Sequence, residues 1–357
     1  MALTQKQLFF TEALLHWNQT ENTRTMPWKG VRDPYCIWLS EIILQQTRVE
    51  QGLPYYQRLI AQFPTVFDLA AASEEEVMKL WQGLGYYSRA RNMHHTAKKV
   101  AQEMNGKFPA SYAALQALKG VGSYTAAAIA SFAFHEPVAV VDGNVIRILS
   151  RFFGIATPFD TTEGKKEFAL LAQQLASTKH IAAYNQAIMD FGAVICTPHQ
   201  PACANCALAE KCWALRHKHT ALLPVRVKKM VKKKREMLFV IATNGNHIFL
   251  EQRTDRDIWK HLFQPPLIEL PVLNSSAVQQ IIAAYWGIKA IALQGEIQTY
   301  KQTLTHQQLV LHFATLQWNT EVERVFGKKF LRIPLNEIGK YAFPKTIALH
   351  LQKIGVT

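Results

Sequence analysis

The sequence predicts a multidomain chain in which an all-helical region is followed by a smaller α+β domain. Three observations carry this reading. From Leu3 to about Trp213 the apolar residues recur at helical spacing, as in Leu8, Phe9, Ala13, Leu14 and Trp17, or Val77, Leu80, Trp81 and Leu84. Seven of the ten residues from Arg226 to Arg235 are basic, and that texture ends there. Beyond the basic run, two apolar strand-like stretches flank Asn244-Gly245-Asn246, a turn signature of hairpins.

Taken in order, residues 1–225 form the helical region, 226–235 a basic linker and 236–357 the second domain. The second domain continues with a short helix around Ser276 to Tyr285 and strands near Leu293 to Leu304 and Leu309 to Trp318. It closes on a helix after Pro344. With 357 residues, 49% of them hydrophobic, each part has material for a core. No repeat or low-complexity tract interrupts them.

The 40 Lys and Arg against 26 Asp and Glu give a net charge of +14, which favours a polyanionic partner such as nucleic acid. About half of that excess sits in the basic run, which is equally readable as a solvated linker. No uncharged apolar run approaches the roughly 18 residues of a spanning helix, and the first residues lack a signal-peptide layout. A cytoplasmic protein without membrane contact is expected, and the short N-terminus suits a bacterial one. Five cysteines are few for a secreted disulfide scaffold, and four of them fall within the 17 positions from Cys196 to Cys212.

Four constellations carry chemistry. Leu118-Lys119-Gly120-Val121-Gly122-Ser123-Tyr124 lies between two helical patterns; its glycines permit either a phosphate-sized anion site at a helix N-terminus or an ordinary tight turn. Glu41 stands in the apolar stretch Cys36 to Leu44, where burial would disfavour its charged form; the bland reading is a solvated or ion-paired helix glutamate. Asp142 ends an extended apolar run before a helix starting near Asn144, as an N-cap that backbone donors would keep ionised and able to stabilise a cation. Two carboxyls with opposed protonation preferences are what glycosidic cleavage requires. Finally, Cys196, Cys203, Cys206 and Cys212 suit either zinc or a four-iron cluster. The fifth cysteine, Cys36, reads as a small buried hydrophobe.

Together these motifs resemble the adenine-specific mismatch DNA glycosylases of the MutY type, within the endonuclease III and helix-hairpin-helix superfamily. The resemblance spans nearly the whole chain. It rests on Met26-Pro27-Trp28, the stretch Ser40 to Val49, Gly83-Leu84-Gly85-Tyr86-Tyr87-Ser88-Arg89, the glycine hairpin, Val141-Asp142-Gly143-Asn144 and the cysteine quartet. It implies a six-helix barrel and a cluster domain within 1–225, with the loop 196–212 holding a 4Fe-4S cluster, followed by a Nudix-like domain.

By the same resemblance Glu41 protonates a flipped adenine, Asp142 stabilises the oxocarbenium-like sugar, and Tyr124 and Asn144 orient both. Arg24, Trp28 and Gln186 surround the base, Gln46 and Tyr86 hold open the gap it leaves, and Leu84, Gly120, Val121, Gly122, Thr305 and His306 contact DNA. The implied partner is double-stranded DNA with adenine opposite 8-oxoguanine or guanine, bound by a monomer on the bacterial nucleoid. Tyr124 stands where strand-nicking relatives carry a Schiff-base lysine, which implies base release without lyase chemistry.

Three departures stand out. Leu304-Thr305-His306 replaces a Phe-Ser-His type loop, Lys119 replaces a common proline, and the cysteine loop lacks the usual basic residues. No Asp or Glu lies between Leu270 and Glu296, so the Nudix-like domain lacks the carboxylates of a nucleotide hydrolase.

Overall fold

A computed structural model of the chain describes residues 4–177, 179–227, 231–254 and 257–356, and these fall into two compact units. The first unit comprises Met1–Ala71 and Asn92–Lys228, the second Ala72–Arg91 and Lys229–Thr357. Part of the expected basic linker, residues 228–230, lies outside the described residues. No helix among the described residues is long and apolar enough to cross a membrane.

The first unit is helical, as the spacing predicts. Its core joins Phe10, Leu14 and Trp17 of the helix Gln5–Thr20 to Ile148, Leu149 and Phe152 of the helix Gly143–Phe153 and to Tyr184, Ile188 and Phe191 of the helix Ile181–Val194. Pro34–Leu44 starts on Asp33, whose carboxylate accepts from the Tyr35 amide at 2.8 Å, with Pro34 in the first turn where its missing N–H does no harm. From Ile37 to Ile43 every residue of that helix is buried. Ser123–Phe134 is likewise apolar on all sides, with its turn from Thr125 to Ser131 fully enclosed.

The second unit is built on a mixed sheet of β1 (Lys233–Thr243), β2 (His247–Gln252), β3 (Phe263–Gln264), β4 (Leu267–Leu270), β5 (Leu293–Thr303), β6 (Gln307–Gln317) and β7 (Leu331–Pro334). The order along the sheet is β3-β2-β1-β6-β5, with β4 on β1 and β7 on β2; β1 and β6 run parallel. The first three residues of β1 lie within the basic run assigned to a linker. Only its middle is apolar throughout, because both of its faces are covered. Met237, Phe239 and Ile241 face Ile347 and Leu351 of the last helix, Lys345–Lys353, while Leu238, Val240 and Ala242 face Val278 and Ile282 of Val278–Trp286.

One assignment differs from the sequence reading. Ala72–Arg91, expected within the helical region, packs with the second unit. Lys79 Nζ donates to the Tyr341 carbonyl at 3.2 Å, the Tyr87 hydroxyl to the Phe343 carbonyl at 3.2 Å, and the Phe343 amide to Gln82 Oε1 at 3.2 Å. Helical spacing reports that a face is buried, not which surface buries it.

Candidate active site

The helices of the first unit surround a cavity of about 680 Å³ that brings together seven of the expected residues: Arg24, Trp28, Glu41, Tyr124, Asp142, Asn144 and Gln186. Glu41 is 6% exposed, and no ion pair reaches it among the described residues. Burial pushes its carboxyl up to about 7, the Tyr124 hydroxyl opposes this shift and the nearby Asp142 reinforces it. The solvated alternative is thereby excluded. Tyr124, on the second residue of Ser123–Phe134, donates to Met189 Sδ at 3.1 Å, and burial raises its phenol far above the ordinary range.

Asp142 is the N-cap of Gly143–Phe153. Its Oδ1 accepts from the Val145 amide at 2.8 Å and its Oδ2 from Asn144 Nδ2 at 2.8 Å. Burial nevertheless raises its pKa, against the pull of Val145, Asn144 and Arg147. The two carboxyls therefore shift in the same direction, which corrects the expectation of opposed preferences. Arg147 ties this cap to the neighbouring loop: it donates to Asn144 Oδ1 at 2.8 Å, to the Gly192 carbonyl at 2.7 Å and to the Cys196 carbonyl at 2.7 Å. Gly192 allows the approach, since a Cβ there would lie 2.6 Å from Asn144 Cβ.

Sequence reasoning missed Asp190. Its carboxylate is fully buried and accepts from Arg24 Nη1 at 2.8 Å, Asn22 Nδ2 at 2.9 Å, Gln186 Nε2 at 3.0 Å and Lys29 Nζ at 3.2 Å. The signal was present: an acid in the apolar helix Ile181–Val194, four residues after Gln186 and so on the same face.

In the glycine hairpin Gly120 has φ of +82°, and a Cβ there would meet Asn92 Cβ at 2.8 Å. The Val121 amide closes the turn onto Leu118 at 3.1 Å, and the Val121 side chain is buried. The first bond inside the following helix runs from the Ala126 amide to the Gly122 carbonyl, so the amides of Ser123, Tyr124 and Thr125 lack helical acceptors, as at any helix start. Gln46 holds a left-handed φ of +56°.

Against known families, residues 39–169 match the HhH-GPD superfamily base excision DNA repair proteins and residues 237–353 the NUDIX domain. Over 306 residues, 85% of either chain, the sequence is 38% identical to an adenine DNA glycosylase of Buchnera aphidicola subsp. Baizongia pistaciae (strain Bp).

The chain belongs to the adenine DNA glycosylase family.

A second relative of that family, from Buchnera aphidicola subsp. Schizaphis graminum (strain Sg), is 35% identical over 254 residues, 71% of this chain and 73% of its own. Among solved structures, a thermostable thymine-DNA glycosylase superposes with a TM-score of 0.56 at 29% identity, over 60% of this chain and 98% of its own. Membership makes the chain a DNA glycosylase, a hydrolase of N-glycosidic bonds.

Cys196, Cys203, Cys206 and Cys212 line one small cavity together with Arg151. Burial, with repulsion from neighbouring thiols, raises Cys203, Cys206 and Cys212, Cys206 up to about 12. Among the described residues no three His, Cys, Asp or Glu side chains converge as they would around a single metal ion. Four thiols around a shared space are a donor set that suits a metal centre. Arg151 pins this loop by donating to the carbonyls of Thr197 at 2.7 Å and Pro198 at 2.8 Å. Cys36 is half-buried, not enclosed as expected, because its thiol lies 3.6 Å from Asp33 Oδ2 at the exposed start of its helix.

Within the second unit Tyr86, 46% exposed and at a left-handed φ of +49°, shares a hydrogen bond of 2.5 Å with the Thr305 hydroxyl. Leu304, Thr305 and His306 form the turn between β5 and β6, closed by the Leu304 amide on the Gln307 carbonyl at 2.8 Å. Leu304 packs on the core that contains Phe313 and Ile347. Leu84 is 4% exposed, which leaves its side chain unavailable to a partner in this state. The helix Val278–Trp286 carries no carboxylate.

Proposed function

We propose that this enzyme hydrolyses adenine from DNA in which the base stands opposite 8-oxoguanine or guanine, without cutting the strand. The observation that carries the proposal is the joint opening of Glu41 and Asp142 into one cavity of about 680 Å³, roomy enough for a flipped nucleotide. Glu41, with a pKa of about 7, holds a proton at neutral pH in a large fraction of molecules. It gives that proton to an imidazole nitrogen of the adenine, the C1′–N9 bond breaks, and its electron pair leaves with the base. Asp142, held by Val145 and Asn144, balances the positive charge on the sugar. Water then adds at C1′ and loses a proton, leaving an abasic site. Flipping costs a few kcal/mol of unstacking, which a mispair lowers.

Arg24, Trp28 and Gln186 line the space for the base. Gln46, Tyr86 and the amides around Gly120, Val121 and Gly122 are assigned to the opened duplex, and Thr305 with His306 to the opposing base. Cys196, Cys203, Cys206 and Cys212 would hold a 4Fe-4S cluster, which would stiffen the loop that Arg147 ties to the catalytic cap. The enzyme is proposed to act as a monomer on nucleoid DNA in the bacterial cytoplasm. Tyr124 offers no amine for a Schiff base, so strand nicking is expected only after alkali.

The test is single-turnover base release from duplexes carrying adenine opposite 8-oxoguanine, guanine or thymine, with nicking scored before and after alkali. Release opposite the first two with alkali-dependent nicking supports the proposal; tight binding without release would reject it.

A further inference from the structure

We infer that Asp190 is a positioning residue that sets the enzyme's choice between amino and oxo purines, by fixing which end of the Gln186 amide faces the cavity. This rests on the reading that the flipped base occupies that cavity.

The two ends of a glutamine amide have similar shape and opposite hydrogen-bonding character. Here chemistry decides between them. A carboxylate only accepts, so the atom of Gln186 that lies 3.0 Å from Asp190 Oδ2 is the NH2 group. The amide oxygen is left for the cavity, which Gln186 lines, and no donor among the described residues reaches it. Turning the amide over would place two oxygens against each other beside a fully buried carboxylate. Asp190 cannot yield, because Arg24 Nη1 at 2.8 Å and Lys29 Nζ at 3.2 Å hold it in place from two further directions.

A fixed acceptor in the pocket discriminates in one direction. The exocyclic amine of adenine has a hydrogen to give it, whereas the C6 carbonyl of hypoxanthine would meet it oxygen to oxygen. Sites that leave a buried polar group unpaired with the wrong ligand discriminate strongly. Asp190 also neutralises one of the two cations beside the pocket, and a protonated base would be opposed by an uncompensated pair.

The experiment compares single-turnover release of adenine and hypoxanthine from duplexes with the same opposing 8-oxoguanine, for the native enzyme, Asp190→Asn and Asp190→Asn/Gln186→Glu. In Asp190→Asn the introduced amide can donate to Gln186 Oε1, so the Gln186 NH2 group can turn into the cavity. The ratio of adenine to hypoxanthine release is expected to fall about tenfold or more. In the double variant both oxygens at position 186 are acceptors and one carboxylate remains for Arg24 and Lys29. Its ratio is expected to return to within roughly threefold of native.

Equal losses on both bases in Asp190→Asn, with the ratio unchanged, would overturn the inference and reduce Asp190 to a structural role. If Asp190→Asn does not fold, the double variant decides: retained adenine preference supports the inference and a hypoxanthine preference overturns it. A native enzyme that releases neither base would instead remove the functional reading on which the inference rests.

Discussion

Asn144 Nδ2 donates to Asp142 Oδ2 at 2.8 Å, so the carboxylate that caps Gly143–Phe153 is aimed by its own second neighbour. Asn144 is aimed in turn by Arg147, which donates to its Oδ1 at 2.8 Å. Asn144→Ala removes one charge-assisted bond, worth about 1.5–3 kcal/mol, while leaving the Val145 amide on Asp142. The expected result is roughly a tenfold to hundredfold slower single-turnover release of adenine with little change in duplex affinity. Unchanged release would show that Asp142 needs no such orientation.

The pH dependence follows from Glu41. If its protonated form is the acid, release falls as pH rises through about 7, by about tenfold per pH unit well above it. The stability consequence has a definite sign. The folded-state pKa lies above the ordinary 4.5, so this group's contribution is fully present below about 4.5 and is lost as pH rises towards about 7. Glu41→Gln is therefore expected to lose activity yet to melt at a higher temperature than the native chain at pH 8, with a gain of at most roughly 3 kcal/mol. A lower melting temperature for the variant at pH 8 would contradict the burial argument.

Gly192→Ala places a methyl group 2.6 Å from Asn144 Cβ and 3.2 Å from Ile148 Cδ1. Overpacking of this kind costs about 1–3 kcal/mol, and here the displaced atom belongs to the residue that aims Asp142. Both a lower melting temperature and slower base release are expected, and a variant with native kinetics would show that the helix relaxes away from the site.

Cys206→Ala should abolish iron and acid-labile sulfide in the purified protein, since the four thiols share one cavity. Metal analysis of the native chain distinguishes the cluster from zinc directly. A single zinc per chain would overturn the assignment.

Tyr86→Phe removes the hydroxyl that bonds Thr305 at 2.5 Å and leaves the exposed ring in place. A neutral hydrogen bond contributes about 0.5–1.5 kcal/mol, so the preference for 8-oxoguanine over guanine opposite adenine is expected to fall roughly twofold to tenfold. Parallel losses on both duplexes would mean that the bond supports the turn without serving discrimination.

Most secondary structure in both units was legible because hydrophobic periodicity survives in sequence. The Asn244-Gly245-Asn246 turn separates β1 from β2, and the run ending at Asp142 meets its helix at Gly143. Glu41 was legible for a related reason: a lone acid in a helix that is apolar on all sides has few places to go but inside. Asp190 meets the same criterion, but its partners Asn22, Arg24 and Lys29 stand 168, 166 and 161 positions away, where no local pattern reports them.

By itself the sequence determined the two kinds of domain, the four cysteines and the pair of carboxyls, since these depend on local pattern and residue chemistry. Tertiary structure decided what surrounds each group. It packed Ala72–Arg91 with the second unit through Tyr341 and Phe343, converged four donors on Asp190 and buried Asp142 enough to raise its pKa despite its cap. Burial and hydrogen-bond geometry depend on residues far apart in the chain: Asn22 and Asp190 meet across 168 positions, and no local pattern encodes such a meeting.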